Sequence, residues 1–177
     1  MKILALTLFL FSLVLLPGCF FSRAASVERS FYDLGTVQTR CSVPVDIGSI
    51  RNASGADRRF LYRMKGNRIE FDSRNFWLTD PDQAVEKLLR NSFVSGGSDA
   101  LHISGVIDDF GFEPDKKLAV LTVNFTLKQG EKRENVRCGV ESAFDGKSAA
   151  SAAGAMKSCA EKAVKQLADA VEKFSKK

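Results

Sequence analysis

The sequence predicts an α+β domain: a mainly antiparallel sheet with two helices on one face, in the order strands, helix, strands, helix. Three observations lead there. Residues 59–72 and 101–144 alternate apolar and polar side chains with the period of a strand, whereas residues 81–93 and 148–174 switch to the three-to-four-residue spacing of a helix. The strand stretches are joined by short turns rich in Gly, Asn and Pro, a connection that pairs neighbours antiparallel.

Taken in order, Phe31-Tyr32-Asp33-Leu34-Gly35 is a short strand stopped by a glycine. Val43, Val45 and Ile47 alternate with Ser42, Pro44 and Asp46, and Pro44 places this second strand at an edge or near its start. Residues 51–57 (RNASGAD) have the composition of a loop. Phe60, Tyr62 and Met64 then alternate with Leu61 and Arg63, Gly66-Asn67 supplies a turn, and Ile69 and Phe71 alternate with Arg68, Glu70 and Asp72. This is a hairpin with one wet and one dry face. Asp80, Pro81 and Gln83 sit where a helix N-terminus places a capping oxygen, a proline and a returning amide. The helix from Pro81 carries Ala84, Val85, Leu88, Leu89 and Phe93 on one stripe, expected to face the dry side of the hairpin with Trp77 in the corner.

Ser95-Gly96-Gly97-Ser98 forms a hinge between two halves. Beyond it, Leu101, Ile103 and Ile107 line one strand ending near Phe112, Leu121, Val123, Phe125 and Leu127 line the next, and Val136, Cys138, Val140 and Phe144 the last. A helix follows from about Ser148 to Phe174, with Met156, Ala160, Ala163, Leu167, Val171 and Phe174 on one stripe. At 1.5 Å per residue it is about 40 Å long, enough to cross a whole sheet.

The N-terminal segment is an address. Lys2 is the only charge before Cys19, and the residues between are apolar apart from Thr7, Ser12 and Gly18, the pattern of an export signal. The run is short for a spanning helix, which needs about 20 apolar residues. It ends in Leu16-Pro17-Gly18-Cys19, which resembles the bacterial lipobox, where cleavage precedes the cysteine and that cysteine carries the lipid. The competing readings are an ordinary secretory signal with Cys19 there by chance, or an uncleaved membrane anchor. The lipobox resemblance implies that Cys19 is acylated with chains such as palmitate. Phe20 in the next position, where an aspartate would argue for retention, implies sorting to the outer membrane of a Gram-negative cell. The expected organisation is a signal peptide over residues 1–18, a lipidated tether over 19–29, and one domain over 30–177.

The net charge of +5 is mild. Removing residues 1–18 takes away one basic residue, Lys2, and no acidic one, so the excess falls to +4. A nucleic-acid partner would ask for a stronger, clustered basic stripe and is not expected. Most of the 14 phenylalanines belong in a core, and the mature length suits one domain.

Cys41, Cys138 and Cys159 are left for an oxidising compartment. Cys138 lies on the inward face of the last strand and Cys159 adjoins the buried stripe of the last helix, so a Cys138–Cys159 bridge would pin the one to the other. Cys41 pairing with either, and free buried thiols, are the alternatives. His102 stands alone on a strand, solvent-facing or hydrogen-bonded. No set of close His, Cys and carboxylate ligands is visible, so neither a metal nor a cofactor is expected. Asp80 is explained as a helix cap and Asp108-Asp109 as a strand end. Asn52-Ala-Ser54 and Asn124-Phe-Thr126 match a short glycosylation pattern. With no nucleophile elbow or phosphate loop, no enzyme activity is expected.

The order of Tyr32 to Gly35, Tyr62-Arg63 on a central strand, Trp77 shortly before Pro81, and an alanine-rich last helix, all behind a lipobox, resembles the auxiliary lipoproteins of ABC-type transport systems. These are the PqiC-like partners of mammalian-cell-entry (MCE) lipid transporters. The sequence departs from the family pattern at Asn75-Phe76, where an arginine is frequent, and in its extra cysteines. The resemblance implies a non-catalytic lipoprotein on the periplasmic face of the outer membrane. It implies as partners an MCE-type periplasmic protein and an ABC permease and ATPase complex that move phospholipids or other hydrophobic molecules. Tyr62, Arg63, Phe76 and Trp77 are the candidate partner contacts; for Trp77 with Phe76 the competing reading is a corner of the core. Homo-oligomerisation is left open. The rival function is an envelope assembly or scaffold lipoprotein without a transporter, and a third is direct lipid carriage, which needs a cavity in place of a solid core.

Overall fold

The computed structural model describes residues 27–37, 41–97 and 100–176. The export signal over residues 1–18, Cys19, residues 20–26 of the tether and Ser98 of the hinge lie outside the described residues. The elements are β1 (Ser30–Tyr32), β2 (Cys41–Asn52), β3 (Arg59–Arg63), β4 (Ile69–Trp77), α1 (Pro81–Ser92), β5 (Phe93–Ser95), β6 (Leu101–Glu113), β7 (Leu118–Gln129), β8 (Lys132–Ala143) and α2 (Ala149–Ser175). The α+β class and the strands, helix, strands, helix order are those predicted from the sequence.

The eight strands form one mixed sheet built around β6. One edge of β6 takes β7 along its length, and β8 follows β7, both antiparallel and joined by tight turns. The other edge is shared. β2 runs parallel to β6 from Leu101 to Ile107, and β3 then meets it at Phe112. β2 and β3 are thus one interrupted strand, and the interruption is held by Asn52. Its Oδ1 accepts from the Ser54 amide and hydroxyl at 3.0 and 2.6 Å, and its amide donates to the Ala56 carbonyl at 2.6 Å. Beyond β3 come β4, antiparallel, and β1, parallel to β4. The parallel pairing of β2 with β5 and of β2 and β3 with β6 follows from α1, because a helix between two strands carries the chain back to where it started.

The dry face is continuous. Leu101, Ile103 and Ile107 point to it and, past a bulge at Asp108, so do Phe110 and Phe112; Val45 and Ile47 flank them on one side, Leu121, Val123, Phe125, Leu127, Cys138 and Val140 on the other. α2 lies over β7 and β8 and reaches β2 and α1; α1 lies over β2, β5 and β6. α2 starts where the sequence places it. Ser148 Oγ accepts from the Ser151 amide at 3.1 Å, and Asp145 Oδ1 accepts from the Lys147 and Ser148 amides at 2.8 and 2.9 Å. These bonds hold the Asp145 carboxyl below the usual carboxylate range.

Four expectations change. α1 begins at Pro81, yet the Asp80 side chain makes no capping bond; the nearest substitute is Asp82 Oδ1, which accepts from the Gln83 amide at 2.9 Å. α1 packs on β2, β5 and β6 in place of the hairpin, because Phe93 leaves the helix as the start of β5, whose pairing with β2 draws α1 over that side. β1 is shorter than residues 31–35. The hairpin also has a different register. The turn at Lys65–Asn67, closed by Met64 N–H to the Arg68 carbonyl at 2.8 Å, pairs Arg63 with Ile69 and Leu61 with Phe71. Ile69 and Phe71 therefore point away from Phe60 and Tyr62, since a one-residue change of register moves every side chain to the other face.

Candidate functional site

That register creates the most distinctive surface of the molecule, on the helix-free side of the sheet where β3, β4 and β1 lie side by side. Arg59 pairs with Phe76, Leu61 with Phe71 and Arg63 with Ile69, while Phe31 of β1 pairs with Phe76. Phe31, Ile69 and Phe71 are 54, 49 and 38% exposed. The Phe31 and Phe76 rings lie 5.7 Å apart. Arginines stand over both main rings: Arg29 is 5.5 Å from the centre of Phe76 and Arg59 is 4.3 Å from that of Phe71. Each such contact contributes about 0.5–1 kcal/mol at an exposed site. At the middle, Leu61 is buried although it points to the open side. It lies on Gly111, where a Cβ would stand 2.9 Å from Leu61 Cδ2 and 3.0 Å from its carbonyl oxygen.

The charges here are unevenly matched. Asp57 takes Arg59 through Nε at 2.9 Å and Nη2 at 2.5 Å, and these bonds hold its carboxyl below the usual range against the opposing effect of burial. Arg63 donates twice to one oxygen of Asp109, at 3.1 and 2.8 Å. Arg29 and Arg58 have no carboxylate partner among the described residues; Arg58 Nε donates to the Trp77 carbonyl at 3.3 Å. They line a groove of about 480 Å³ together with Phe31, Asp57, Arg59, Phe76 and Asp80. In β4 the register shift is absorbed by Asp72, whose Oδ1 accepts from the Arg74 and Asn75 amides at 2.8 and 3.2 Å. Partial burial opposes its charge, but these bonds and that of Asn75 Nδ2 outweigh it and lower its pKa.

The four candidate contact residues divide between the two faces. Phe76 and Arg63 are on the open side. Trp77 is 2% exposed and packs in the interior, stacked on Phe60 at 4.6 Å with Phe110 edge-on at 5.3 Å. Tyr62 is half-buried against Phe112, 5.5 Å between rings, and donates to Asp72 Oδ2 at 3.4 Å. Burial, with the Asp72 charge, pushes its phenol up to about 12. Phe112 also meets Phe60 at 5.0 Å and Phe144 at 5.8 Å. These aromatic rings fill the end of the core from which a lipid carrier would need to be hollowed.

The Cys138–Cys159 bridge does not form: both thiols are free and buried, as is Cys41. Cys159 Sγ donates to the Ala119 carbonyl at 3.4 Å, and Ala119 pairs with Ser142 on β8, whereas Cys138 pairs with Val123. Four residues of strand at ~3.4 Å each separate those points on the sheet by ~14 Å, so Cys159 sits over a part of β8 well away from Cys138, whereas a disulfide needs Cα atoms within ~7 Å. Burial pushes both thiols up to about 11. His102 Nδ1 lies 2.8 Å from Asp46 Oδ2 on the open face. Asp108 accepts from the Asn124 amide within the β6 bulge and Asp109 holds Arg63, so that pair does not end the strand. Among the described residues no three metal-ligating side chains cluster, and no helix is long and apolar enough to cross a membrane. Sequence reasoning missed Arg29, Phe31, Arg59 and Phe71; the signal for them was the alternation of Arg59, Leu61 and Arg63 itself, a wet face carrying a leucine.

The fold is an α+β sheet with both helices on one side and an arginine-lined aromatic strip on the other. Among the solved structures that match, two crystal structures share the arrangement of sheet and helices. One, of an uncharacterized protein, matches with a TM-score of 0.71 at 12% identity, over 81% of this chain and 99% of that one. The other, protein XCC0632 from Xanthomonas campestris, a DUF330 protein, matches with a TM-score of 0.63 at 11% identity, over 84% of this chain and 100% of that one. No protein-family model and no curated protein matches the sequence.

Proposed function

We propose that the chain is a lipoprotein held to the periplasmic face of the outer membrane by acylated Cys19, acting as a non-catalytic auxiliary component of an ABC/MCE-type lipid transport system. The domain is an adaptor that keeps the distal end of the transport path at the membrane. Exposing an acyl chain to water costs about 0.8 kcal/mol per methylene, so holding the path against the bilayer lowers the barrier to transfer. The resemblance in motif order behind the lipobox motivates the reading. The observation that carries it is a filled interior beside an open arginine–aromatic strip: the packing of Phe60, Trp77, Phe110 and Phe112 favours work at a surface over carriage inside.

The test is to isolate the full chain from envelopes in mild detergent, identify co-purifying proteins by mass spectrometry, and read the mass of the N-terminal mature peptide. An acylated Cys19 with MCE and ABC subunits in the eluate is expected. A Cys19→Ser chain that matures and stays with the membrane as before, or an eluate carrying only cell-wall or outer-membrane assembly proteins, would overturn the proposal.

A further inference from the structure

We infer that the arginine–aromatic strip of β1, β4 and β3 lies against the bilayer, with Arg29 and Arg58 on anionic lipid headgroups and Phe31 and Phe76 at the headgroup boundary. The inference rests on the adaptor reading only in taking Cys19 as the point of attachment.

Chain length supplies the first reason. The described domain begins at Val27, eight residues after Cys19. Even fully extended, that stretch spans at most about 28 Å. Arg29 and Phe31 follow within four residues of Val27, so the chain arriving from Cys19 enters the domain at the β1 edge of the strip. A tether this short adds an effective concentration in the millimolar range to an affinity that the strip must have of its own.

Chemistry supplies the second. Apolar exposure gathers at this end: Val27, Phe31 and Leu78 are each more than half exposed, and the Leu78 N–H bonds to the Tyr32 carbonyl beside Phe31 at 2.7 Å. Rings flanked by arginines match an interface that is apolar on one side and phosphate-bearing on the other. Charge completes the match. Asp57 neutralises Arg59, but Arg29 and Arg58 have only Asp80 opposite them across the groove, leaving it net positive. Anionic lipid headgroups supply the missing phosphates, and each arginine near such a surface strengthens binding about fivefold.

The experiment is vesicle flotation of a chain spanning residues 20–177, which retains every element and the whole described core. With phosphatidylethanolamine–phosphatidylglycerol vesicles (about 7:3) the chain is expected to float, to float far less with pure phosphatidylcholine, and to be released by 0.5 M salt, as screening requires. Arg29→Ala with Arg58→Ala is expected to weaken binding about 25-fold. Phe31→Ser with Phe76→Ser is expected to weaken it comparably, while Arg133→Ala on β8 and Val94→Ser on β5 leave it unchanged; circular dichroism verifies that each variant is folded. A wild-type chain that does not float, or strip variants that float as well as wild type, overturns the inference. If the strip variants float normally but lose co-purifying periplasmic protein, the strip belongs to a protein partner and the membrane assignment falls. Because this chain lacks Cys19, its result stands apart from acylation: failure to float leaves the adaptor reading intact, and an unacylated Cys19 leaves the flotation result intact.

Discussion

Phe76 and Trp77 are adjacent, and the strand turns them to opposite sides of the sheet, so truncating each has a different consequence. Trp77→Ala removes a ring packed against Phe60, Phe110 and Phe112 and is expected to cost about 3–5 kcal/mol, read as a lowered urea midpoint. Phe76→Ala on the open side is expected to change that midpoint little. Gly111 makes a second contrast: its alanine variant would drive a methyl into Leu61 and lose about 1–3 kcal/mol, whereas at Gly139 the nearest atom to an added Cβ is Thr122 Oγ1 at 3.8 Å and alanine fits. The thiols carry a pH dependence. Folded Cys138 and Cys159 titrate near 11 against an ordinary 9.0. Above pH 9 the unfolded chain therefore releases protons that the folded chain retains, so stability present below 9 is lost as pH rises towards 11. Urea midpoints at pH 8, 9 and 10 should fall, and fall less steeply in the Cys138→Ala/Cys159→Ala variant. Burial at these positions was legible from strand and helix periodicity. Their separation along β8 was not, because it depends on how far α2 slides over the sheet, which no local pattern encodes.

Elements were legible where a local signal sets them and misplaced where a partner decides. Ser148 and Asp145 precede a long alanine-rich stripe, and α2 starts there; Ser148→Ala is expected to cost about 1 kcal/mol by stranding the Ser151 amide. Asp80→Ala, by contrast, should leave the α1 boundary and the denaturation midpoint nearly unchanged, because the Asp80 side chain makes no cap bond. The pair is checked by thermal melts followed at 222 nm; equal losses would overturn it. The hairpin shows what local pattern leaves open. Alternation gave both of its strands a dry set, but the parity of the turn decides whether the two sets agree, and the three-residue helical turn with left-handed Gly66 and Asn67 opposes them. Phe71 and Ile69 became an exposed surface for that reason alone. The candidate site was thus half legible: Phe76 and Arg63 from the motif, the rest only once the register was known.

Across the whole molecule, β6 is the strand on which everything else is hung, with β7 on one edge and β2 and β3 sharing the other. Nothing in its own sequence distinguishes it from β7, since both are long alternating strands, and the fork was therefore invisible before the structure. The arrangement ranks the strands by protection. An amide in β6 is released only when neighbours on both sides and the helix layer give way, whereas β1 is held by three register pairs at the sheet edge and β5 by three beside β2. Opening of an edge strand costs a fraction of global unfolding. Hydrogen exchange followed by mass spectrometry should therefore show β6 and β7 protected to the limit set by global unfolding, with β1 and β5 exchanging first. β1 is also the first strand of the chain, so a pull from its N-terminal side reaches the core through its pairing with β4, Tyr32 on Phe60, buried Leu34, and the Lys87–Asp33 ion pair at 3.1 Å. Lys87→Ala should accelerate exchange in β1 while leaving β6 unaffected. If β1 proved as slow to exchange as β6, or if Lys87→Ala loosened both together, the edge would be part of the same cooperative unit as the spine and the ranking would be wrong.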